Sequence, residues 1–235
     1  MASLEPEQQV AMPLLRSQWL TSAFVHWRYD PAVVQRLVPD GLTVQTFDGS
    51  AWVGLVPFLM ADLRPPGLTL GPLGTFAGAN LRTYVVGPGG RDGLWFLAME
   101  AASPLMVAGT RVGVGAPYHL GEHAIDARPR RVTYTGVRQG GGPSYRIVVR
   151  PGARIEQDDL AVWLTGRWRA YTSHVGRLLE TPVSHEPWPL RRATLAELDQ
   201  SLTEAVGLPA PDGDPTLHYS DGVRRCRIGL TRIVG

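Results

Sequence analysis

The sequence predicts a sheet-rich α+β protein, and three observations carry that prediction. Glycine and proline are both abundant, 27 and 20 of 235 residues, which favours turns and short strands over long helices. Alternating apolar runs are separated by strong turn sequences such as Asp48-Gly49 and Gly140-Gly141-Gly142-Pro143, the pattern of hairpins. Helix start signals are few, and a hydrophobic content of 44% is ample for a packed core.

Each element follows from local chemistry. Asp30-Pro31 supplies a helix N-cap and a proline at the first helical position, so a short helix is expected over 32–38, ended by Pro39-Asp40-Gly41. Leu42, Val44 and Thr46 then alternate with small or polar neighbours, and Asp48-Gly49 turns the chain into a strand over 51–58. Prolines and glycines dominate 62–78, giving an irregular loop of the kind that borders functional sites. Strands are expected over 80–86 and 94–99, joined by the glycine-rich stretch 87–93. Ser103-Pro104 again reads as a cap and first helical residue, opening a helix over 105–111 that Gly113-Val114-Gly115 breaks. The hairpin around Gly140 joins strands over 131–138 and 144–150.

Asp158 opens a helix in which Leu160, Trp163, Leu164, Trp168 and Tyr171 share one face at helical spacing, a stripe read as core. Thr194-Leu195-Ala196-Glu197 has the form of a capping box, with Leu195, Leu198, Leu202 and Val206 as an apolar face and Gly207 as terminator, so a last helix is expected there. Nothing repeats internally, and 209–215 lies too near the C-terminus to separate two cores. The chain is read as a single domain over 1–235, with 1–15 as a flexible N-terminus.

All 23 basic residues are arginine and the net charge is only +2. Arginine stays protonated where a buried lysine sheds its proton and attacks carbonyls, so no lysine Schiff base is available here. The clusters Arg128, Arg130, Arg131 and Arg224, Arg225, Arg227 lack aromatic stacking neighbours, and no nucleic-acid partner is expected. A single cysteine, Cys226, and an acidic N-terminal stretch point to a reducing, cytoplasmic setting. The longest uncharged apolar run, 49–61, is broken by Pro57 and falls short of the roughly 20 residues that span a bilayer, so no membrane partner is expected. The nucleophile-elbow, phosphate-loop and dinucleotide glycine motifs are missing from the sequence.

Several stretches together resemble the YqjF-like family within the acetoacetate decarboxylase-like superfamily. They are His26-Trp27 before Asp30-Pro31, then Phe47-Asp48-Gly49-Ser50-Ala51-Trp52-Val53-Gly54 with Pro57-Phe58, and Asn80-Leu81-Arg82-Thr83-Tyr84-Val85. Pro117-Tyr118, Leu164-Thr165-Gly166-Arg167-Trp168, His185-Glu186-Pro187-Trp188 and His218-Tyr219-Ser220 follow in the family's order. The resemblance covers nearly the whole chain. It implies a curved, largely antiparallel sheet or double-layered β-barrel with a few peripheral helices and a mostly apolar central cavity, and it favours a homo-oligomer. In the superfamily's decarboxylases a lysine attacks a ketone; the corresponding stretch here is Ala116-Pro117-Tyr118-His119, with tyrosine or histidine in the lysine's place. Relatives usually bring a glutamate before the Asn80 strand, where this chain has Gly78 and offers Glu100 on the neighbouring strand as substitute.

Arg82 lies in an otherwise uncharged strand. Facing a cavity it would bind a carboxylate or enolate oxygen bidentately; otherwise its side chain faces outward or pairs with Glu100 as a structural ion pair. Glu100 follows the apolar run 94–99, where burial raises a carboxyl pKa toward the range of a general acid. His119-Leu120-Gly121-Glu122-His123 fits an inverted zinc-protease pattern if helical. As a strand it sets 119, 121 and 123 on one face, so that both histidines line a cavity without metal. The expectation is a cofactor-independent enzyme acting on a small or medium apolar carbonyl compound, of lyase, isomerase or cyclase type. Arg82 holds developing oxyanion charge, Glu100 or His119 moves a proton, and Tyr118 orients the carbonyl. His26, Trp52, Phe58, Asn80 and Arg111 contact substrate, although Arg111 also suits the end of its helix by complementing the dipole. Two alternatives stay open: a non-catalytic binder of a hydrophobic metabolite, and a zinc enzyme using His119 and His123.

Overall fold

The computed structural model describes residues 2–234, apart from the Val112 side chain. After an N-terminal segment without regular structure, the chain forms β1 (Leu15–Tyr29), α1 (Pro31–Gln35), β2 (Thr43–Val44), β3 (Thr46–Phe47) and β4 (Ser50–Arg64). Then come β5 (Phe76–Gly87), β6 (Arg91–Ala101), α2 (Pro104–Val114), β7 (Tyr118–Arg128), β8 (Arg131–Arg138) and β9 (Ser144–Arg154). The remainder is α3 (Asp159–Thr165), β10 (Arg169–His174), β11 (Arg177–Ser184), β12 (Leu190–Gln200), α4 (Leu202–Ala205), β13 (Thr216–Ile228) and β14 (Arg232–Ile233). The caps work as the sequence predicts: Asp30 accepts from the Ala32 amide, Ser103 from Met106 and Asp158 from Ala161, each satisfying an orphan donor at a helix start. Asp48 and Gly49, both at positive φ, turn the chain between β3 and β4.

The strand pairings close on themselves twice. One ring runs β6, β7, β8, β9, β12, β13, β1, β4, β5 and back to β6. A second leaves β6 through β10 and β11, joins β13, and returns along the same β1, β4 and β5. The two rings therefore share one wall, which makes a double-layered β-barrel of largely antiparallel strands. Among the described residues only β6–β7 and β6–β10 pair in parallel, and α2 supplies the crossover that the parallel β6–β7 pair requires.

The shared wall separates two interiors. On its first face Ala23, Val25, Val53, Leu55, Ala79, Leu81 and Val85 pack against Tyr134, Tyr145, Ile147 and Val149, filling the nine-stranded ring with apolar side chains. On its second face Phe24, Val56, Trp52 and Tyr84 are covered by Trp163 and Leu164 of α3, by Trp188 and by Leu190. These faces alternate residue by residue along β1, β4 and β5, as the two-residue strand period demands.

Several expectations need correction. Residues 194–200 lie on strand β12, not a helix, and the only helix nearby is the single turn α4. A β-bulge between Leu195 and Glu197 shifts the phase, so Leu195 and Leu198 both pack toward the core at a three-residue spacing that imitates a helix. Helix α3 ends at Thr165 with Gly166 after it, leaving Trp168 outside and Tyr171 on β10. Trp163, Leu164, Trp168 and Tyr171 are nonetheless all buried. The loop expected over 62–78 is shorter, because β4 runs to Arg64 and β5 begins at Phe76. The N-terminal segment packs against the barrel: Ser3 accepts from the Trp168 indole, Glu7 pairs with Arg169 at 2.7 Å, and Val10 is buried.

Candidate functional site

The second face of the shared wall gathers polar groups that lack partners. Asn80, Arg82 and Tyr84 follow one another at two-residue spacing along β5, and β4 pairs regularly with it from Phe76 to Thr83. They therefore project on the side opposite Ala79, Leu81 and Val85. His26, Gly54 and Arg82 stand in one row across β1, β4 and β5. A Cβ at Gly54 would lie 2.5 Å from His26 Cδ2 and 2.6 Å from Nε2, so the imidazole lies against bare backbone. Trp52 and Phe58 occupy the same face. Six of the nine sequence-predicted site residues thus share one surface: His26, Trp52, Phe58, Asn80, Arg82, and Tyr118, which stands in one row with Asn80 through Met99.

The hydrogen bonds define what these groups do. His26 Nε2 meets the Tyr84 hydroxyl at 2.8 Å, and that hydroxyl donates onward to the Leu164 carbonyl at 2.7 Å. Arg82 Nη2 donates to the same carbonyl at 3.3 Å, and the guanidinium lies over the Phe24 ring at 5.7 Å. Arg82 is only 8% exposed and forms no ion pair among the described residues. Its Nε, His26 Nδ1, Asn80 Oδ1 and His218 Nδ1 are enclosed without hydrogen-bond partners. A buried cation with neither counter-ion nor full solvation is costly, and such groups are found where a ligand completes them.

Electrostatics hold the histidines neutral. Burial, reinforced by the Arg82 and His218 charges, pushes His26 well below the ordinary imidazole value, with the Phe24 backbone acting in the opposite sense. Burial lowers His185 to about 4 despite the neighbouring Glu186 carbonyl and carboxylate, and Arg82 adds to the lowering. His185 sits among Trp19, Trp168 and Trp188, with ring centroids 5.5, 4.8 and 5.2 Å away. Arg167 covers Tyr84 and Trp163 at 5.1 and 4.7 Å while Asp92 and Gln45 hold its guanidinium. Tyr84, Arg167, His185 and His218 were not singled out as site residues from sequence. The alternation Asn80, Arg82, Tyr84 was the available signal for the first of them, because position 84 repeats the phase of 82.

Glu100 and His119 lie on the other face of the wall. Glu100 is in register with Ala79 and His119 and so faces the nine-stranded ring, across the wall from Arg82; the pairing of Arg82 with Glu100 does not form. Glu100 instead holds Arg138, at 2.5 Å from Nη2 and 3.4 Å from Nε. Tyr118 turns to the opposite side of β7 from His119, which is the Asn80 and Arg82 side, and is buried with Met60, Phe76, Met99 and Val107. Arg111, at the end of α2, is exposed and approaches His119 Nδ1 at 3.5 Å. The four catalytic candidates therefore divide between the two faces, Arg82 and Tyr118 on one, Glu100 and His119 on the other. Nor do His119 and His123 share a helix face: four residues along strand β7 separate them by roughly 13 Å, and no three His, Cys, Asp or Glu side chains group around a metal position among the described residues.

Gly78 carries its own constraint, since a Cβ there would lie 2.5 Å from the Glu100 carbonyl oxygen. A glutamate at 78 needs a backbone shift. The cavity also differs in place from the one the resemblance implies. A space of about 330 Å³ lies between β6, β10 and the turns that follow α1, α2 and α4, walled by Leu37, Trp95, Phe96, Leu97, Tyr171 and Val206, and none of the nine predicted site residues lines it. A much smaller one, about 10 Å³, lies beside Leu4, Trp168 and Trp188.

Comparison with known proteins matches this architecture. Among solved structures, the enduracididine biosynthesis enzyme MppR complexed with pyruvate superposes with a TM-score of 0.68 at 14% identity, over 97% of this chain and 93% of that one. An acetoacetate decarboxylase-like enzyme from Sphingomonas wittichii RW1 gives 0.66 at 16% identity, over 97% and 96%. The fold is thus that of the acetoacetate decarboxylase-like proteins. In sequence, the protein YqjF of Bacillus subtilis (strain 168) is 32% identical over 213 residues, 88% of this chain and 87% of that protein. Residues 16–224 match the family DUF2071, described as "Uncharacterized conserved protein (COG2071)". With most of its length matched, from the first barrel strand to the last long one, the chain belongs to the DUF2071 family.

Proposed function

We propose that the protein is a cofactor-independent enzyme that acts on a small carbonyl compound by hydrogen bonding and proton transfer, on the His26–Arg82 face of the barrel wall. The observation that carries this reading is Arg82: a buried guanidinium with no carboxylate partner among the described residues, in one row with a neutral histidine. A fixed cation in an enclosed site stabilises charge that develops on a carbonyl oxygen without reorganising at the moment of reaction. Neutral His26, whose Nδ1 makes no hydrogen bond, takes the proton, and Tyr84 and the Leu164 carbonyl hold the ring in place. Asn80 offers its amide oxygen to a substrate hydroxyl or enol. This assignment moves the proton carrier from Glu100 and His119 to His26. The chain has no lysine, so the chemistry is of lyase, isomerase or cyclase type without a lysine imine. Access requires the covering connection around His185 and Trp188 to move. The test is turnover of a panel of small keto acids and ketones: Arg82→Gln and His26→Gln each lower kcat/KM by about 100-fold or more while the folded circular-dichroism spectrum persists. Unchanged turnover in both variants removes the assignment.

A second reading, a non-catalytic binder of a hydrophobic metabolite, is favoured by the cavity of about 330 Å³ walled by Trp95, Phe96, Tyr171 and aliphatic side chains, which has the size and lining of a small-molecule pocket. Native mass spectrometry of the purified protein separates the two. A retained apolar compound released by Leu97→Trp supports the binder.

A further inference from the structure

The face of the wall opposite Arg82 carries a second polar cluster that the proposed reaction leaves unused. At one mouth of the nine-stranded ring, β6 presents Glu100, β7 presents His119 and His123, β8 presents Arg138 and β9 presents Tyr145, all on the inner face by register. Helix α2 adds Arg111 from outside, and β5 contributes only uncharged Ala79. Arg138 and Glu100 form a two-point pair in which the arginine side chain is 21% exposed and the carboxylate 2%. Solvent therefore reaches this ion pair from its cationic side. Arg111 holds no carboxylate among the described residues, and it approaches the same His119 ring on which Arg138 acts. His123 is stacked on Tyr145 with Nδ1 3.1 Å from its hydroxyl, wedged between Gly121 and Gly136, and its Nε2 is enclosed with no partner. Around one carboxylate the mouth thus gathers two guanidiniums, two imidazoles and a phenol.

We infer that this mouth binds a small carboxylate anion, which takes Arg138 from Glu100 while Glu100, released toward the apolar ring, accepts a proton from solvent. No covalent bond forms or breaks. One anion and one proton enter together, so the buried charge is unchanged. The exchange is electrostatically reasonable because a carboxylate stripped of its arginine inside an apolar barrel cannot remain ionised. Burial already raises Glu100 against the pull of Arg138. Burial and the neighbouring arginines hold His119 and His123 at about 4, so above about pH 5 neither imidazole is the group that takes the proton.

Calorimetric titration of the full chain with sodium acetate, chloride keeping the ionic strength constant, tests this in buffers of differing ionisation enthalpy. The expected result is one proton taken up per acetate bound, with affinity rising about tenfold for each pH unit lowered between about pH 7 and pH 5. Glu100→Gln binds acetate without proton uptake, and Arg111→Gln weakens binding several-fold. Arg82→Gln leaves the proton-coupled component of acetate binding intact, which separates this site from the one proposed for catalysis. Because Glu100→Gln alters a buried pair, infrared difference spectra of the unaltered protein with carbon-13 acetate give an independent readout: a new protonated-carboxyl band from the protein. No proton-coupled acetate binding in the native protein, uptake that survives Glu100→Gln, or loss of the proton-coupled binding in Arg82→Gln each overturns the inference.

Discussion

Gly54 shows how much of the site a single missing atom decides. The His26 ring lies where a Cβ at 54 would stand, so the imidazole reaches Tyr84 only because the strand between β1 and β5 has no side chain at that point. Gly54→Ala forces the ring aside in a fully buried setting, and we expect a loss of about 1–3 kcal/mol in denaturant unfolding, the range of an overpacked core. Turnover, once a substrate is in hand, falls with it. Tyr84→Phe separates packing from hydrogen bonding. It keeps the ring volume against Trp163 and deletes the hydroxyl that bridges His26 and Leu164, a change worth about 1–3 kcal/mol when buried partners are left unsatisfied. Parity is what the sequence makes readable at this scale. Alternation puts 80, 82 and 84 on one side of a strand, and it equally puts 100 on the side of 98. Which of these sides meets which neighbour depends on the register of β5 with β6, and that register slips at Leu81/Arg82, a bulge with no sequence signature.

Elements that rest on capping chemistry were legible, and elements that rest on bulges were not. Asp30, Ser103 and Asp158 all cap helices at the expected places because each supplies a side-chain oxygen to a helix-start amide regardless of tertiary context. Thr194 and Glu197 satisfy the same pattern in sequence yet lie on β12, where pairing with β9 over eight residue pairs outweighs a local preference. The N-terminal segment, read from sequence as flexible over 1–15, has partners in the structure: Trp168 Nε1 donates to Ser3 at 3.0 and 3.1 Å, and Glu7 meets Arg169 at 2.7 Å. Glu7→Gln removes the charge of that clasp, while Asp92 continues to hold Arg169. The expected outcome is faster exchange of the Trp168 indole hydrogen, by about fivefold, with little change in global unfolding, because a docked segment opens locally below the cost of opening the barrel. An unchanged exchange rate shows that the carboxylate does not hold the segment.

At the scale of the whole molecule, the two rings enclose more imidazole than an acid-tolerant protein should. His26, His119, His123, His185 and His218 all have pKa values below the ordinary one, in every case with burial as the largest cause. The unfolded chain therefore binds protons near pH 6.5 that the folded chain refuses, at His119, His123 and His185 until about pH 4, so below pH 6.5 the unfolded state holds more protons and stability falls as the pH is lowered. Each fully buried histidine contributes at most about 1.4 kcal/mol per pH unit, and the half-exposed His119 and His123 contribute less. Glu100 works against this trend. Its raised pKa means that the folded state takes up a proton earlier than the unfolded one, which favours folding as the pH drops below that value. One carboxyl does not offset five imidazoles, so Tm is expected to decline steadily from about pH 7 to pH 4. Replacing His185, the histidine enclosed by three tryptophans, with glutamine flattens the slope near pH 5 by removing one titrating group, even if it lowers Tm at pH 7. A Tm that is level across this interval in the native protein contradicts the burial of these rings and, with it, the enclosed neutral His26 on which the proposed chemistry depends.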